Sequence, residues 1–132
     1  MCQAGDIILV DHYVDNGHDL IRHSFVVIND EAGQIQGIDY DIICNVMSSF
    51  QSEEHRRKKL SYPGNFEILH TDSVVNNGND KDGYIKANQF YYFNKKKIRF
   101  RIIGSMNEDA FNELLKYIEA LDIEIKQIID NL

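Results

Sequence analysis

The segment Gly5–Asp30 contains two short apolar runs that are separated by a polar stretch. The runs are Asp6–Asp11 and Phe25–Ile28, and their β-branched residues favour buried sheet positions, so they predict two strands. The stretch between them, residues 11–20, is too long for a tight hairpin and too polar to be buried. It therefore predicts a flap that arches over the surface. Arg22 lies where this flap rejoins the sheet.

The rest of the chain alternates apolar runs with turn signals, which predicts a mainly β domain. The predicted strands are the later part of Ile38–Ser49, then Asn65–His70, Tyr84–Phe93 and Ile98–Ile103, with Gly104 ending the last one. The predicted connections are a turn at Glu31–Gly37, a loop or one or two exposed helical turns at Phe50–Tyr62, and a loop at Asp72–Gly83 that includes the surface sequence of residues 76–80.

The residues after Gly104 predict one long helix, about 107–130. Asn107 is a favourable N-cap, and Glu108 and Asp109 lie in the first turn, where the helix dipole favours acids. Apolar residues then recur at alternating spacings of three and four to the end of the chain, which gives one continuous apolar stripe. Such a helix is about 40 Å long. Either its last turns pack on a partner chain, or it lies across the open side of the domain with a frayed end.

Length and composition indicate a single globular domain spanning residues 1–132. The chain has 132 residues with 43% hydrophobic content, which is enough for one core. No apolar run approaches the length of a membrane span, and the N-terminus lacks the charged and apolar regions of an export signal. We therefore expect no membrane association and a cytoplasmic location. Cys2 and Cys44 fit that reducing compartment, and Cys44 is expected to be buried and inert.

The charge of the chain is unevenly distributed. The formal net charge is −7, which at first argues against a nucleic-acid partner because phosphate binding needs cations. However, acids are concentrated in residues 107–132, whereas most of the other lysines and arginines lie in two runs, His55–Lys59 and Lys95–Arg101. Each run is either an ordinary solvated face or a local binding surface for a polyanion, and in the second case Arg56 and Arg57 contact the ligand.

Several of these segments resemble the PemK/MazF family of toxin endoribonucleases. In that family a Gly-Asp-apolar strand leads through a flexible loop into an Arg-Pro-apolar strand. The corresponding residues here are Gly5-Asp6-Ile7 and Arg22–Val27, with His23 in place of the proline. Val46–Ser49 resembles the family's apolar-apolar-Thr-Ser segment. Gln89 matches a glutamine of a later family strand, in which tyrosines here replace an arginine and a threonine.

The resemblance covers nearly the whole chain and implies both a fold and a function. The fold is a small SH3-like barrel, about residues 1–104, with the C-terminal helix packed on it. The function is that of the toxin of a type II toxin-antitoxin system, a metal-independent, sequence-specific endoribonuclease that needs no cofactor. The 2′-hydroxyl of single-stranded RNA attacks the adjacent phosphate and leaves a cyclic phosphate. The family also implies a homodimer and a cognate antitoxin, with which the toxin binds DNA.

The resemblance also assigns roles to individual residues. Arg22 would stabilise the negative charge that develops on the phosphorane, and Ser48 would hydrogen-bond a nonbridging oxygen. His18 in the flap is the freer candidate for the base, because His23 follows Arg22 in an extended strand and should leave the opposite face. Tyr91 either stacks on a base or packs across strands. The full set of predicted substrate contacts is His23, Ser49, Gln89, Tyr91, Arg56 and Arg57.

Two other interpretations stay open at the level of sequence. The first is an inactive relative with the same barrel that binds nucleic acid or protein without chemistry. The second is an NlpC-type cysteine hydrolase, because Gly5–Ile8 and His23–Phe25 partly match the start of that family. It requires Cys44 as the nucleophile, and the apolar neighbours of Cys44 disfavour a thiolate. No metal site is predicted, because the histidines and aspartates of residues 11–18 lack a rigid ligand spacing.

Overall fold

The computed structural model describes residues 2–76 and 81–132, which form eleven strands, two α-helices and one 3₁₀ turn at His70–Asp72. The strands are β1 (Asp6–Asp15), β2 (His18–Asn29), β3 (Gly33–Ile35), β4 (Ile38–Tyr40), β5 (Ile42–Ser49), β6 (Asn65–Ile68), β7 (Ser73–Val75), β8 (Gly83–Lys86), β9 (Gln89–Phe93), β10 (Phe100–Met106) and β11 (Lys126–Ile128). The helices are α1 (Glu53–Leu60) and α2 (Glu108–Ala120). The predicted mainly β class with helices is confirmed. Neither helix in the described ranges is long and apolar enough to cross a membrane.

Nine of the strands form one sheet that branches at β5. Its main path runs β11-β9-β5-β2-β1-β10-β7, and β8 joins β5 to β6. Neighbours are antiparallel except for β11 and β9. No pairing among the described residues joins the end strands, so the sheet is not closed into the predicted SH3-like barrel. The physical reason is that β5 pairs with β9 at one end and with β8 at the other, which splits the sheet instead of curling it shut.

β1 and β2 form one long hairpin instead of enclosing a flap. The ladder between them continues as far as Asp15 opposite His18. The turn consists of Asn16 and Gly17, whose φ angles of 52° and 79° lie in the left-handed region, as in a type I′ turn. The predicted flap over residues 11–20 is therefore wrong, because the Asn-Gly pair allows a two-residue turn and its flanking residues extend the ladder.

The C-terminal segment is partly helix and partly strand. α2 begins after Asn107, as predicted, but the backbone of Leu121 is extended, with φ −63° and ψ 130°. Lys126–Ile128 then forms β11, parallel to β9. The helix predicted over about 107–130 is therefore wrong beyond Ala120. The isoleucines after this point are β-branched and favour extended backbone, and β9 offers backbone partners to Lys126–Ile128.

Other predicted elements differ in their bounds. The aromatic run Tyr84–Phe93 is interrupted and forms β8 and β9. The strand predicted to end at Gly104 continues to Met106. A residue without a side chain is required at this glycine, because β7 passes so close that a Cβ would collide with the Val74 carbonyl oxygen.

Three predicted connections contain short regular elements. α1 provides the exposed helical turns expected in Phe50–Tyr62. β3 lies within the turn predicted at Glu31–Gly37, and β7 lies within the loop predicted at Asp72–Gly83. Residues 77–80 of that loop lie outside the described residues.

Apolar side chains pack on both faces of the sheet. On one face Phe25 is fully buried and meets Tyr13, Tyr91 and Phe93 edge to face. On the other face Val26, the next residue of β2, belongs to the cluster that Leu114 of α2 helps to form. Because successive residues of a strand point to opposite faces, a sheet covered on both sides needs nearly continuous apolar runs. This explains the composition of β1 and β2.

The end of the chain holds the tip of the β1–β2 hairpin. The Asn131 side-chain amide donates from Nδ2 to the Val14 carbonyl at 2.9 Å and accepts from the Val14 N–H through Oδ1 at 2.6 Å. Asp130 Oδ2 accepts from the Gly17 N–H at 3.1 Å. The Asn131 amide therefore hydrogen-bonds both backbone groups of Val14, as the backbone of a neighbouring strand would.

We expect Asn131→Ala to lower the free energy of unfolding by about 1–3 kcal/mol, because it leaves the partly buried N–H and C=O of Val14 without these partners. Asn131→Asp keeps the acceptor but loses the donor, so its effect should be intermediate. Denaturant unfolding measures both, with Asn112→Ala on the exposed face of α2 as the control. Equal stabilities for Asn131→Ala and the control would contradict the role of this amide.

Candidate functional site

An open cleft of about 1140 Å³ runs along β5 and is bordered by α1 and by the residues that precede β8. Its apolar lining consists mainly of Ile7, Leu9, Met47, Ile68, Val75 and Ile103. Five of the site residues predicted from sequence also line it: Arg22, His23, Ser48, Ser49 and Arg56. The fold therefore brings more than half of the predicted residues into one place.

His23 and Ser48 are partners across the β2–β5 ladder. The register pairs Ser24 with Met47, and its continuation places His23 opposite Ser48. His23 Nε2 and Ser48 Oγ are 3.3 Å apart, and the imidazole tautomer decides which of them donates. Both residues are partly buried. They form a hydroxyl–imidazole pair at the edge of the cleft.

The surroundings of His23 favour its neutral form. Burial lowers the pKa of His23 below the usual 6.5, and the positive charge of Lys86 lowers this pKa further, while a hydrogen bond with the Met47 backbone opposes the shift. The imidazole is therefore largely neutral at neutral pH. Neutral imidazole is the form that accepts a proton in general base catalysis.

Arg22 lines the same cleft but leaves the opposite face of β2. It precedes His23 in an extended strand, so the two side chains point away from each other, as the sequence predicts. Continuation of the β2–β5 register places it opposite Ser49. Arg22 Nε is 3.9 Å from Asp11 Oδ1, and 64% of the arginine side chain is exposed. Ser48 is therefore on the face of the sheet opposite to Arg22, and its neighbour is His23.

Carboxylates already engage Arg56. It donates to Glu67 Oε2 from Nη2 at 2.6 Å and from Nε at 2.9 Å, and to Glu53 Oε1 from Nη1 at 3.3 Å. Arg57, the next residue of α1, is exposed and is not part of the cleft lining. The arginines of α1 therefore contribute little free positive charge to the cleft.

Two other predicted residues lie away from this cleft. His18 borders a smaller groove of about 630 Å³ together with Asp15 and Lys126. Gln89 is the first residue of β9, and its carbonyl oxygen accepts a hydrogen bond from Asn45 Nδ2 at 2.8 Å. The hairpin that replaces the predicted flap holds His18 apart from His23 and Ser48.

Tyr91 belongs to the core and not to the cleft. It is 2% exposed, and its hydroxyl donates to Asp15 Oδ2 at 2.7 Å. Burial raises the pKa of Tyr91 strongly, and the hydrogen bond to Asp15 raises it further. Its ring is packed among Tyr13, Phe25 and Phe93, which is the cross-strand alternative to base stacking.

Lys86 is a charged neighbour of His23 that sequence reasoning missed. It ends β8 and is partly buried. Burial lowers the pKa of Lys86, the charge of Lys59 lowers it further, Asp15 opposes this shift, and Lys126 adds to it. The one sequence signal for this lysine is that it is the only charged residue of the mostly apolar and aromatic run Tyr84–Phe93.

An aromatic group that was also missed fixes α1 at the edge of the cleft. Phe50 stacks on Tyr84 with ring centroids 5.4 Å apart, and the His55 ring lies 6.3 Å from each of them. The sequence interpretation assigned Phe50 to a polar connection, where nothing indicated a buried partner.

Cys44 is completely buried, and burial raises the pKa of its thiol well above the usual value. A buried thiol of this kind is not an activated nucleophile, which argues against the cysteine-hydrolase interpretation.

Across residues 2–76 and 81–132, no group of three or more His, Cys, Asp or Glu side chains is arranged to hold a metal ion. No protein-family model and no curated protein matches this chain.

The lowered pKa of His23 predicts a pH dependence of stability. In the unfolded chain His23 gains a proton near pH 6.5, whereas the folded protein resists protonation to lower pH, so its contribution to the free energy of unfolding is full above pH 6.5 and declines below it. His23→Gln keeps a polar group beside Ser48 and should remove this decline. Denaturant unfolding at a series of pH values tests it.

The matched control for this experiment is His12→Gln, which changes an exposed histidine of β1. A difference between wild type and His23→Gln that stays constant across pH 6.5 would contradict the lowered pKa.

Proposed function

We propose that the cleft binds single-stranded RNA and cleaves it without a metal, as the toxin of a type II toxin-antitoxin system does. The observation that carries the proposal is the neutral His23 imidazole within hydrogen-bonding distance of Ser48, in a cleft that Arg22 also lines. These groups provide a base, a hydroxyl donor and an exposed cation. Groups of these kinds accelerate transesterification of a phosphodiester by accepting the proton of the nucleophile and stabilising the charge that develops on the phosphate.

In this proposal His23, and not His18, is the base. Its unprotonated ring nitrogen accepts the proton of the 2′-hydroxyl, and the 2′-oxygen attacks phosphorus. The bond to the 5′-oxygen breaks, which leaves a cyclic phosphate and a 5′-hydroxyl that takes its proton from solvent in the open cleft. The Ser48 hydroxyl donates to a nonbridging oxygen as negative charge grows there, and Arg22 contributes a cation from the other face of β2.

The wider assignment rests on the sequence resemblance to the PemK/MazF family. It comprises an open variant of the SH3-like family fold, a homodimer, silencing by a cognate antitoxin and a cytoplasmic location. The opening segment Gly5–Ile7 and the strand Arg22–Val27 are the main support for it.

A second candidate function is RNA binding without cleavage. The separation of Arg22 from the His23–Ser48 pair by alternation along β2 favours it, because a phosphate that contacts one face is not automatically in reach of the other. Both candidates bind RNA, and they differ in whether the bound RNA is cleaved.

We expect purified, antitoxin-free protein to cut long single-stranded RNA in EDTA and to leave cyclic phosphate ends. His23→Gln should slow cleavage by about 10²–10⁴-fold, because glutamine cannot accept the proton. Arg22→Ala should weaken cleavage as well, because it removes a cation from the cleft. Gel analysis with mapping of the product ends measures the rate and the chemistry.

Lys116→Ala removes an exposed positive charge from α2 and is the control for general electrostatic effects. Intact RNA with folded wild-type protein, or undiminished cleavage by His23→Gln, would contradict the proposed chemistry. Binding of RNA that stays uncut would support the second candidate.

A further inference from the structure

Three lysines from distant parts of the chain come together around Lys86, and the charge of Lys86 acts on His23. Lys86 in β8 is directly opposite Asn65 of β6, and the Asn65 side chain donates to the Lys59 carbonyl at 2.8 Å. The Lys126 N–H donates to the carbonyl of Asn88, two residues after Lys86, at 2.8 Å. Two asparagines therefore tie the backbones of α1, β8 and β11 together around Lys86.

The side chain of Lys86 shares a face of the sheet with Ser48. The β5–β8 register pairs Met47 with Ile85, and its continuation places Lys86 opposite Val46. Val46 and Ser48 are two residues apart in β5 and point to the same face. The effect of the Lys86 charge on the pKa of His23 agrees with this placement. His23, Ser48 and Lys86 therefore form one group, whereas Arg22 leaves the other face.

The positive charge of this group is poorly compensated. Within the described residues, none of the ammonium groups of Lys59, Lys86 and Lys126 has a carboxylate oxygen within 4.0 Å. Asp15, whose Oδ2 accepts the Tyr91 hydroxyl, acts on Lys86 without such a contact and offsets part of the repulsion from Lys59 and Lys126. Like charges that are partly removed from water destabilise each other, and a bound anion relieves this repulsion.

We propose that Lys86, flanked by Lys59 and Lys126, binds the RNA phosphodiester and holds it against His23 and Ser48. This inference rests on the proposed function and specifies its substrate contact: the reacting phosphate lies on the Lys86 face of the sheet, and Arg22 contacts a neighbouring part of the strand. A phosphodiester suits the group better than an acidic peptide does, because the hydroxyl and the neutral imidazole beside Lys86 match a nonbridging oxygen and a 2′-hydroxyl.

The test measures binding separately from cleavage. The ligand is a 2′-O-methyl RNA oligonucleotide, which lacks the attacking hydroxyl and cannot be cut by this route, and its fluorescence anisotropy is followed at several salt concentrations. Lys86→Met keeps the apolar stem and removes the charge. We expect it to weaken binding by at least about tenfold and to reduce the slope of log K against log salt by about 0.7 for each phosphate that the variant no longer neutralises.

The controls are Lys86→Arg, which restores the charge, and Lys116→Met, which removes an exposed charge from α2. We expect Lys86→Arg to recover binding and Lys116→Met to leave binding unchanged. Circular dichroism establishes that each variant is folded. Wild-type affinity in folded Lys86→Met would overturn the inference, as would failure of the wild type to bind the oligonucleotide.

The outcomes separate this inference from the proposed function. Lys86-dependent binding without cleavage of unmodified RNA would leave the phosphate site intact and overturn the nuclease. Cleavage of unmodified RNA at the wild-type rate by Lys86→Met would overturn the phosphate site and leave the nuclease intact. Tighter binding of polyglutamate, or of single-stranded DNA of the same sequence, than of RNA would overturn the assignment of RNA as the ligand.

Discussion

The antiparallel ladder between β2 and β5 determines which polar side chains of this protein meet. Its register places His23 opposite Ser48 and Arg22 opposite Ser49. Because the side-chain period of a strand is two, a slip of one residue would exchange the partners and turn Phe25 out of the aromatic core. Burial of Phe25 therefore fixes the hydroxyl–imidazole pair as well as the core, and no separate interaction is needed to align it.

Partial burial of His23 and Lys86 lowers the pKa of both side chains in the site. His23 and Lys86 are each partly removed from water, which lowers the pKa of both cations, and each feels further positive charge. Asp15 is the acid that opposes the shift of Lys86, and Tyr91 holds its carboxylate. An imidazole that is neutral and an ammonium without a paired carboxylate are both favourable for binding and transforming an anion.

Sequence patterns predicted most of the longer strands but not how they join. The apolar runs of β1, β2 and β5 predict strands, because strands covered on both faces need nearly continuous apolar residues. The hairpin was missed although Asn16-Gly17 is a strong turn signal, since the polar residues around it resemble a loop. The C-terminal isoleucines fit a helical stripe as well as a strand, and only the free edge of β9 decides between them. That decision depends on tertiary structure.

Some residues of the candidate site could be named from the sequence, and others could not. Arg22, His23, Ser48 and Ser49 were named from the resemblance to the PemK/MazF family, and they lie on strands that the apolar pattern of the sequence predicts. Alternation along β2 separates Arg22 from His23 as expected. Tyr91 was not assignable, because an aromatic residue suits a core and a base-stacking surface equally. Lys86 was not identifiable because its neighbours in space come from other elements: Lys59 reaches it through Asn65, and Lys126 reaches it through Asn88.

The C-terminal segment connects the stability of the sheet to the charge beside the site. Lys126 itself belongs to the pairing with β9, and five residues later Asn131 holds Val14 in the hairpin, so the segment that carries Lys126 is held at two places. Continued as a helix, the segment would lack the pairing with β9 that keeps Lys126 next to Asn88. The basic group around Lys86 is therefore created by folding, because Lys59 alone of its three lysines belongs to a basic run of the sequence. For this reason a net charge of −7 does not exclude a site for an anion, because binding depends on the local field and not on the total charge.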